Sequence, residues 1–309
     1  MGVRDPVTIL PIDVGYMGLR GAANAFLVRG EAGDALVECG TAATWPTLVS
    51  GLRALGFGPE RVRDLLLTHI HLDHAGAAGH LAAAGACVHA HPFGVPHLVD
   101  PAKLIASSRR VHGAAYEPFY GDLTPVPASL AHAVDDGACV QASGLVFRAL
   151  HTPGHARHHV VWLLDHGGAR HAFMGDLAGI LVPDSEFIAV PTPPPEFDPV
   201  AWQASLRRVI AERPTHLWLT HGGCVGGDAA SADAFLRRAA DRLAQETDWL
   251  RGFIESAATD ADCLRAYGER ERPIAVAAGV DVQRLADFVD DAFLRMNLGG
   301  ARRAFAPRA

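Results

Sequence analysis

The segment from Asp64 to Gly76 constrains this chain more than any other. Asp64–Thr68, with its Leu65-Leu66-Leu67 centre, reads as a short strand buried on both faces. It runs directly into His69-Ile70-His71-Leu72-Asp73-His74, which puts four potential metal ligands within six residues. In open α/β sheets, sites form at the carboxyl ends of strands. His69 and His71 alternate along an extended exit and so face one site, whereas Asp73 and His74 fall where a helix begins and serve a neighbouring position. One metal needs three or four ligands, and a catalytic metal keeps a position open. Further ligands must therefore come from elsewhere in the chain.

Three other strand ends supply them. Thr152-Pro153-Gly154-His155 follows the apolar run Leu145–Leu150, Gly175-Asp176 follows Ala172–Met174, and Thr220-His221-Gly222 follows Leu217–Leu219. Each ends an apolar run with one metal-competent side chain beside a small residue. A single His at a strand end is usually an ordinary core or surface residue; the recurrence points to a site. Other histidines carry less. His159, four residues after His155, is read as either a hydrogen-bonding support for the site or a strand-entry residue, with His158 beside it. His89, His91 and His97 are read as structural or exposed, and His151 and His171 receive no ligand role. Cys224 is read as a core or loop thiol, since no base can be assigned to it.

The flanking pattern sets the fold class. Val7–Ile12, Asn24–Val28 and Ala35–Cys39 read as strands, the last two joined by a turn at Glu31–Asp34. Thr44–Leu55 and Val200–Ala211 read as helices, and Ala86–His91, Leu145–Leu150, Val160–Leu164, His171–Met174 and Thr215–Thr220 as strands. Hairpins mixed with βα alternation fit an α/β (α+β) sandwich of two mixed sheets flanked by helices better than a pure parallel sheet. From Asp228 the chain reads as helical, over Ala232–Phe253, Thr259–Tyr267 and Val282–Met296, with 301–309 as a frayed end. Two units follow: a catalytic domain over 1–228 and a helical C-terminal extension over 229–309.

Composition narrows the function classes. A hydrophobic share of 49% with 20% charged residues excludes a disordered chain. The net charge of −7 argues against nucleic acid as a partner. The chain has no uninterrupted apolar run long enough for a membrane span, and Met1–Pro6 does not read as a signal peptide. Five scattered cysteines without a C-x-x-C pair suit a reducing compartment, so a cytoplasmic location is expected. Oligomeric state is not encoded in any pattern here.

The array His69-x-His71-x-Asp73-His74, followed by His155, Asp176 and His221, resembles the metallo-β-lactamase superfamily, and most of all its glyoxalase II-like branch. The resemblance implies an αββα metallo-β-lactamase-like sandwich. It implies that His69, His71 and His155 bind a first metal, that Asp73, His74 and His221 bind a second, and that Asp176 bridges them. Nitrogen and oxygen ligands without thiolate suit two divalent ions, Zn²⁺ foremost, with Fe or Mn also accommodated. A hydroxide shared by the two metals would then cleave an ester-like bond (thioester, ester or lactone) in a small-molecule acyl substrate, with Asp73 as the catalytic residue that orients it and passes on its proton.

The helical extension resembles the substrate-covering part of glyoxalase II-like enzymes. That branch draws cations, Lys prominently, from this region to hold glutathione, and the only Lys here is Lys103. Arg251, Arg270 or Arg272 would have to substitute, so lactones and other acyl esters stay open. Two alternatives are retained: a mononuclear iron enzyme similar to persulfide dioxygenases, using His69, His155 and Asp176, and a non-catalytic metal-binding protein of the same fold. Tyr116, Phe119, Tyr120 and Pro191–Phe197 are candidates for pocket walls, and Arg109 and Arg110 are read as a solvated pair.

Overall fold

Two six-stranded sheets organise the computed structural model, which describes residues 7–30, 32–256 and 259–305. Residues 1–6, Glu31 of the expected turn and 306–309 of the expected frayed end lie outside the described residues. The first sheet runs in sequence order through Thr8–Asp13 (β1), Asn24–Gly30 (β2), Gly33–Val37 (β3), Val62–Leu66 (β4), Cys87–Ala90 (β5) and Ala131–Ala133 (β6). It is antiparallel from β1 to β3 and parallel from β3 to β6. The second holds Cys139–Ala142 (β7), Leu145–His151 (β8), Val160–His166 (β9) and Ala169–Gly175 (β10). After a two-stranded ribbon of Ile180–Leu181 (β11) and Ile188–Ala189 (β12), it is completed by His216–Leu219 (β13) and Gly223–Gly226 (β14). Its order is β14-β13-β10-β9-β8-β7, and only β10 and β13 are parallel.

Strand alternation builds the layers. Phe26, Val28, Val37 and Leu66 of one sheet meet Phe147, Val160, Trp162, Phe173 and Trp218 of the other in a shared core. The intervening residues Leu27, Leu36 and Leu65 face an outer cluster with Leu48, Leu52 and Leu81. Those three come from helices Trp45–Ala54 and Ala78–Ala83. On the far side, Val161, Leu163, Ala172 and Leu217 pack with Trp202 and Leu206 of helix Pro199–Glu212 and with Phe235, Leu236 and Leu243 of helix Ala229–Glu255. The central strands are apolar on both faces because each face is covered. The result is the expected α/β sandwich of helix, sheet, sheet and helix.

Local chemistry sets the helix starts. Asp198 accepts from the Val200 and Ala201 N–H groups, and Asp228 with Ser231 forms a capping box. From Ala229 onward the described elements are all helices: Ala229–Glu255, Asp260–Ala277, Val282–Phe288 and Asp291–Phe305. Two boundaries differ from the sequence reading. The Thr259–Tyr267 helix extends to Ala277 through Pro273. The single helix expected over Val282–Met296 is two, because Asp290 Oδ1 accepts from the Phe293 N–H at 2.7 Å and starts a new one. Among the described residues no helix is long and apolar enough to cross a membrane.

Trp162 ties the sheets together beneath the ligand strand: it is fully buried, and its Nε1–H donates to the Leu67 carbonyl at 3.0 Å. Trp162→Ala removes both the ring and this bond. Urea denaturation should show a loss of about 3–5 kcal/mol, as for large aromatic truncations in packed cores.

Candidate metal centre

The chain end of β4 carries the floor of the site. Leu67 and Thr68 continue the buried strand, and backbone bonds run from Leu67 N–H to the His89 carbonyl and from Val160 N–H to the Thr68 carbonyl. The turn then releases His69 and His71 before the short helix Leu72–Ala75 presents Asp73 and His74. β8 delivers His155 through Thr152-Pro153-Gly154, β10 delivers Asp176, and β13 delivers His221. Gly175 has to be glycine: its φ is +50°, and a Cβ there would lie 2.5 Å from both His159 Nε2 and Thr68 Oγ1.

All seven residues singled out in the sequence converge. Three groups have their ligand atoms within 4.8 Å of one another: His69, His71 and His155; His69, His74 and Asp176; and Asp73, His74 and His221. His71 Nδ1 lies 3.0 Å from His69 Nε2 and 2.9 Å from His155 Nε2. His74 Nε2 and His221 Nε2 are 3.3 Å apart. Nitrogens bound tetrahedrally at Zn–N distances of about 2.0–2.1 Å are separated by about 3.3 Å, so the spacing fits ligands aimed at a common ion. Asp176 lies between the groups, with Oδ2 3.3 Å from His155 Nε2 and Oδ1 3.1 Å from His74 Nε2 and 3.3 Å from His221 Nε2. Oδ1 is buried yet makes no aligned hydrogen bond. A carboxylate oxygen that faces imidazole nitrogens without bonding them is suited to a cation.

The far side of each ring explains its aim. His155 Nδ1 meets the Pro191 carbonyl at 3.1 Å, and His221 Nδ1 meets the Ala22 carbonyl. A carbonyl only accepts, so both rings carry a proton on Nδ1 and turn Nε2 to the centre. His74 Nδ1 lies 3.2 Å from Glu38 Oε1, which likewise places a proton on Nδ1 and turns Nε2 inward. His69 Nδ1 reaches Thr68 Oγ1 at 3.1 Å, and that hydroxyl donates to Glu38 in turn. His71 is the exception, presenting Nδ1.

Glu38 was missed by the sequence reading. It follows β3, is 1% exposed, and also accepts from Thr220 Oγ1 at 3.4 Å, so one carboxylate braces two of the four strand ends that carry the candidate residues, those of β4 and β13. Its φ of +65° is unusual for a residue with a side chain. A lone Glu closing an apolar strand gives no such signal in sequence.

Other candidates sort plainly. His159 accepts from the Asp176 N–H at 3.2 Å and contacts Thr152 Oγ1 at 2.8 Å, so it supports the site, the first of its two expected roles. His158 is buried, 3.5 Å from Glu196, and stacks on Phe93. His89 pairs with Asp64 at 3.0 Å, and His151 with the Val134 carbonyl at 2.9 Å. Tyr16 donates to Tyr120 at 2.6 Å, and Tyr120 packs on His112, 4.2 Å between ring centres. Tyr116 instead donates to Asp122, and Arg109 is a solvent-exposed cation as expected, paired with Asp122 and Glu117.

Electrostatics divide the cluster. Burial holds His69 well below the usual imidazole range and His155 at about 4. Burial would also lower His74 and His221, but the Asp176 and Asp73 carboxylates prevail and raise both, His221 to about 10.

The chain and its fold match known proteins. The Metallo-beta-lactamase superfamily profile covers residues 18–217, and the chain belongs to that superfamily. It is 29% identical over 170 residues to a metallo-beta-lactamase fold-containing protein of Sulfurisphaera tokodaii, covering 54% of this chain and 62% of that one. It is 31% identical over 171 residues to the atrochrysone carboxyl ACP thioesterase of Aspergillus fumigatus, covering 55% of this chain and 44% of that one. The chain thus spans less than two thirds of the length of either relative. The crystal structure of an archaeal metallo-beta-lactamase superfamily protein from Sulfolobus tokodaii superposes with a TM-score of 0.67 at 22% identity, over 95% of this chain and 98% of that one. The fold implies divalent metal binding, and these His and Asp groups can provide it.

The charge division predicts two pH dependences. A cation entering the Asp73, His74 and His221 group must displace imidazolium protons, so affinity there should rise about tenfold per pH unit per proton displaced, up to about pH 10. Binding at the His69, His71 and His155 group should depend far less on pH over the same range, since burial holds all three rings below the usual imidazole range. Zn²⁺ calorimetry between pH 6 and 8, in buffers of different ionisation enthalpy, measures both; His221→Ala should cut the proton release of the first group alone.

Proposed function

We propose that the chain is a dinuclear metal-dependent hydrolase that cleaves a thioester, ester or lactone in a small-molecule acyl substrate. The observation that carries this reading is the placement of Asp176, whose two oxygens face different His groups at 3.1 to 3.3 Å. His69, His71 and His155 would hold one divalent ion, Asp73, His74 and His221 the other, with Asp176 between them. Zn²⁺ is the first choice, with Fe or Mn compatible. Bound there, the pair would supply a hydroxide at neutral pH and charge to polarise an acyl carbonyl.

The residues do the rest. Asp73 has a side chain 19% exposed, against 6% for Asp176, so it is the carboxylate within reach of a substrate. It serves as the catalytic residue, taking a proton and passing it to the leaving atom. The Tyr16–Tyr120 hydroxyl pair lies in its field: burial first, then the Asp73 charge, keeps both phenols neutral.

Within the superfamily we favour the glyoxalase II-like branch, supported by the helical C-terminal extension, and a reducing cytoplasmic setting, supported by five free cysteines. Glutathione is not the favoured substrate. Arg270, one of the expected substitutes for lysine, is spent on Glu246 and Glu271, and Arg251 lies over the Phe305 ring. The thioesterase relative supports the acyl class. The sharing of Asp176 with His74 and His221 favours two metals over the mononuclear iron alternative.

Protein loaded with Zn²⁺ should bind two equivalents and turn over at least one member of a thioester, ester and lactone panel. Asp73→Asn should lower kcat by about 10²–10⁴-fold. A wild-type rate in that variant, or one equivalent of iron with sulfide-dependent oxygen uptake, would overturn the reading.

A further inference from the structure

The Pro191 carbonyl that orients His155 sits on the segment continuing β12, which among the described residues pairs with a strand, β11, on one side only. Polar side chains of the C-terminal helices take that neighbour's place. Arg242 Nε donates to the Ile188 carbonyl at 3.1 Å. Asn297 Nδ2 donates to the Val190 carbonyl at 2.8 Å, and Asn297 Oδ1 accepts from the Thr192 N–H at 2.8 Å. The Asn297 backbone carbonyl also accepts from Thr192 Oγ1 at 3.1 Å. The bonded positions are 188, 190 and 192, the alternate residues that an adjacent strand would pair.

Asn297 is fully buried, and both of its amide protons are used. The second Nδ2 proton goes to Tyr267 Oη at 2.8 Å, and Tyr267 donates to Glu246. Glu246 is held by Arg242 and Arg270, so the clamp rests on a buried ionic base. Close approach is built in at Gly300, one turn further along the helix, where a Cβ would lie 1.8 Å from the Thr192 carbonyl oxygen. The Pro191 carbonyl shares its peptide plane with the Thr192 N–H that Asn297 Oδ1 holds, and the Val190 carbonyl that Asn297 Nδ2 holds fixes the preceding plane, where Pro191 has no N–H to donate.

We propose that Asn297 is a positioning residue for the metal centre: by gripping Val190 and Thr192 it holds the Pro191 carbonyl against His155 Nδ1 and aims His155 Nε2 at the ion. The inference rests on His155 being a ligand, as in the proposed function. It gives the C-terminal helices a role in metal binding in addition to any contact with substrate.

The test reads metal binding, not turnover. Apo protein is titrated with Zn²⁺ against a chromophoric chelator and with Co²⁺ by its d–d absorption, for wild type, Asn297→Ala, Asn297→Asp and Leu298→Ala. Asn297→Ala should weaken the His155-containing site by about 10–100-fold, the size usual for lost support of a ligand, and change the Co²⁺ spectrum. Asn297→Asp keeps the Thr192 acceptor but faces the Val190 carbonyl with an oxygen, so it should give the same loss; it stands in if the alanine variant does not fold. Leu298, buried on the same helix, controls for stability alone. Wild-type affinity in a folded Asn297 variant, or an equal loss in Leu298→Ala, overturns the proposal. His155→Ala run in parallel separates the two claims: unchanged metal binding there would sink the ligand assignment itself.

Discussion

Buried negative charge governs this structure. Glu38, Asp73 and Asp176 lie together at the meeting of two sheets, and carboxylates removed from water must be paired or must bind a cation. The positive partners nearest to them are imidazoles. His74 touches all three carboxylates and His221 touches two, which is why these rings bind protons tightly while His69 and His155 do not. A divalent ion would satisfy the same demand without protons. The rigidity of the surroundings follows from that demand, because a carboxylate free to turn away would relieve the repulsion and dissolve the site.

The two sheets supply the rigidity by exchanging bonds at their ligand-bearing ends. Asn24 N–H donates to the Thr220 carbonyl at 2.8 Å, and Val160 N–H to the Thr68 carbonyl at 2.7 Å. His221 reaches across to Ala22, and Trp162 across to Leu67. Each bond links a strand of one sheet, or the turn that enters it, to the end of a strand of the other. The centre is therefore a joint between halves of the sandwich, not an addition to one of them. Glu38 sits at the middle of this joint, bonded to Thr68 and His74 of the first half and Thr220 of the second.

What was legible in the sequence follows from range. Strands covered on both faces are continuous apolar runs, so β2, β3, β4, β8, β9 and β13 stood out, and ligands placed just past them could be read from position. β14 did not, since Gly223-Cys224-Val225-Gly226 has poor strand propensity and exists through pairing with β13. β7 is only four residues long, and β6 only three, within a region of helices and turns. The break at Asp290 was hidden because apolar spacing runs across it. Glu38 and Asn297 were invisible for a stronger reason. Their meaning lies in partners 30 to 182 and 105 to 107 residues away, and a single sequence carries no trace of such pairings.

Exposure assigns the faces of the centre. His69, His74, His155, Asp176 and His221 are buried, while His71 and Asp73 are partly open. Among the seven, those two are the ones open to a group arriving from solvent. That side carries Tyr16 and Tyr120 next to Asp73, and the buried His158 with the exposed Phe93 next to His71. The opposite side, behind His155, is the Val190–Thr192 segment gripped by the C-terminal helices. The molecule thus divides its work by direction. On the proposed reading, the loop before β2 and the segment after β5 would shape what enters, and the C-terminal helices would secure His155 from behind. Substitutions on the entry side should alter what is accepted and leave the centre assembled, whereas the rear can change only by way of His155.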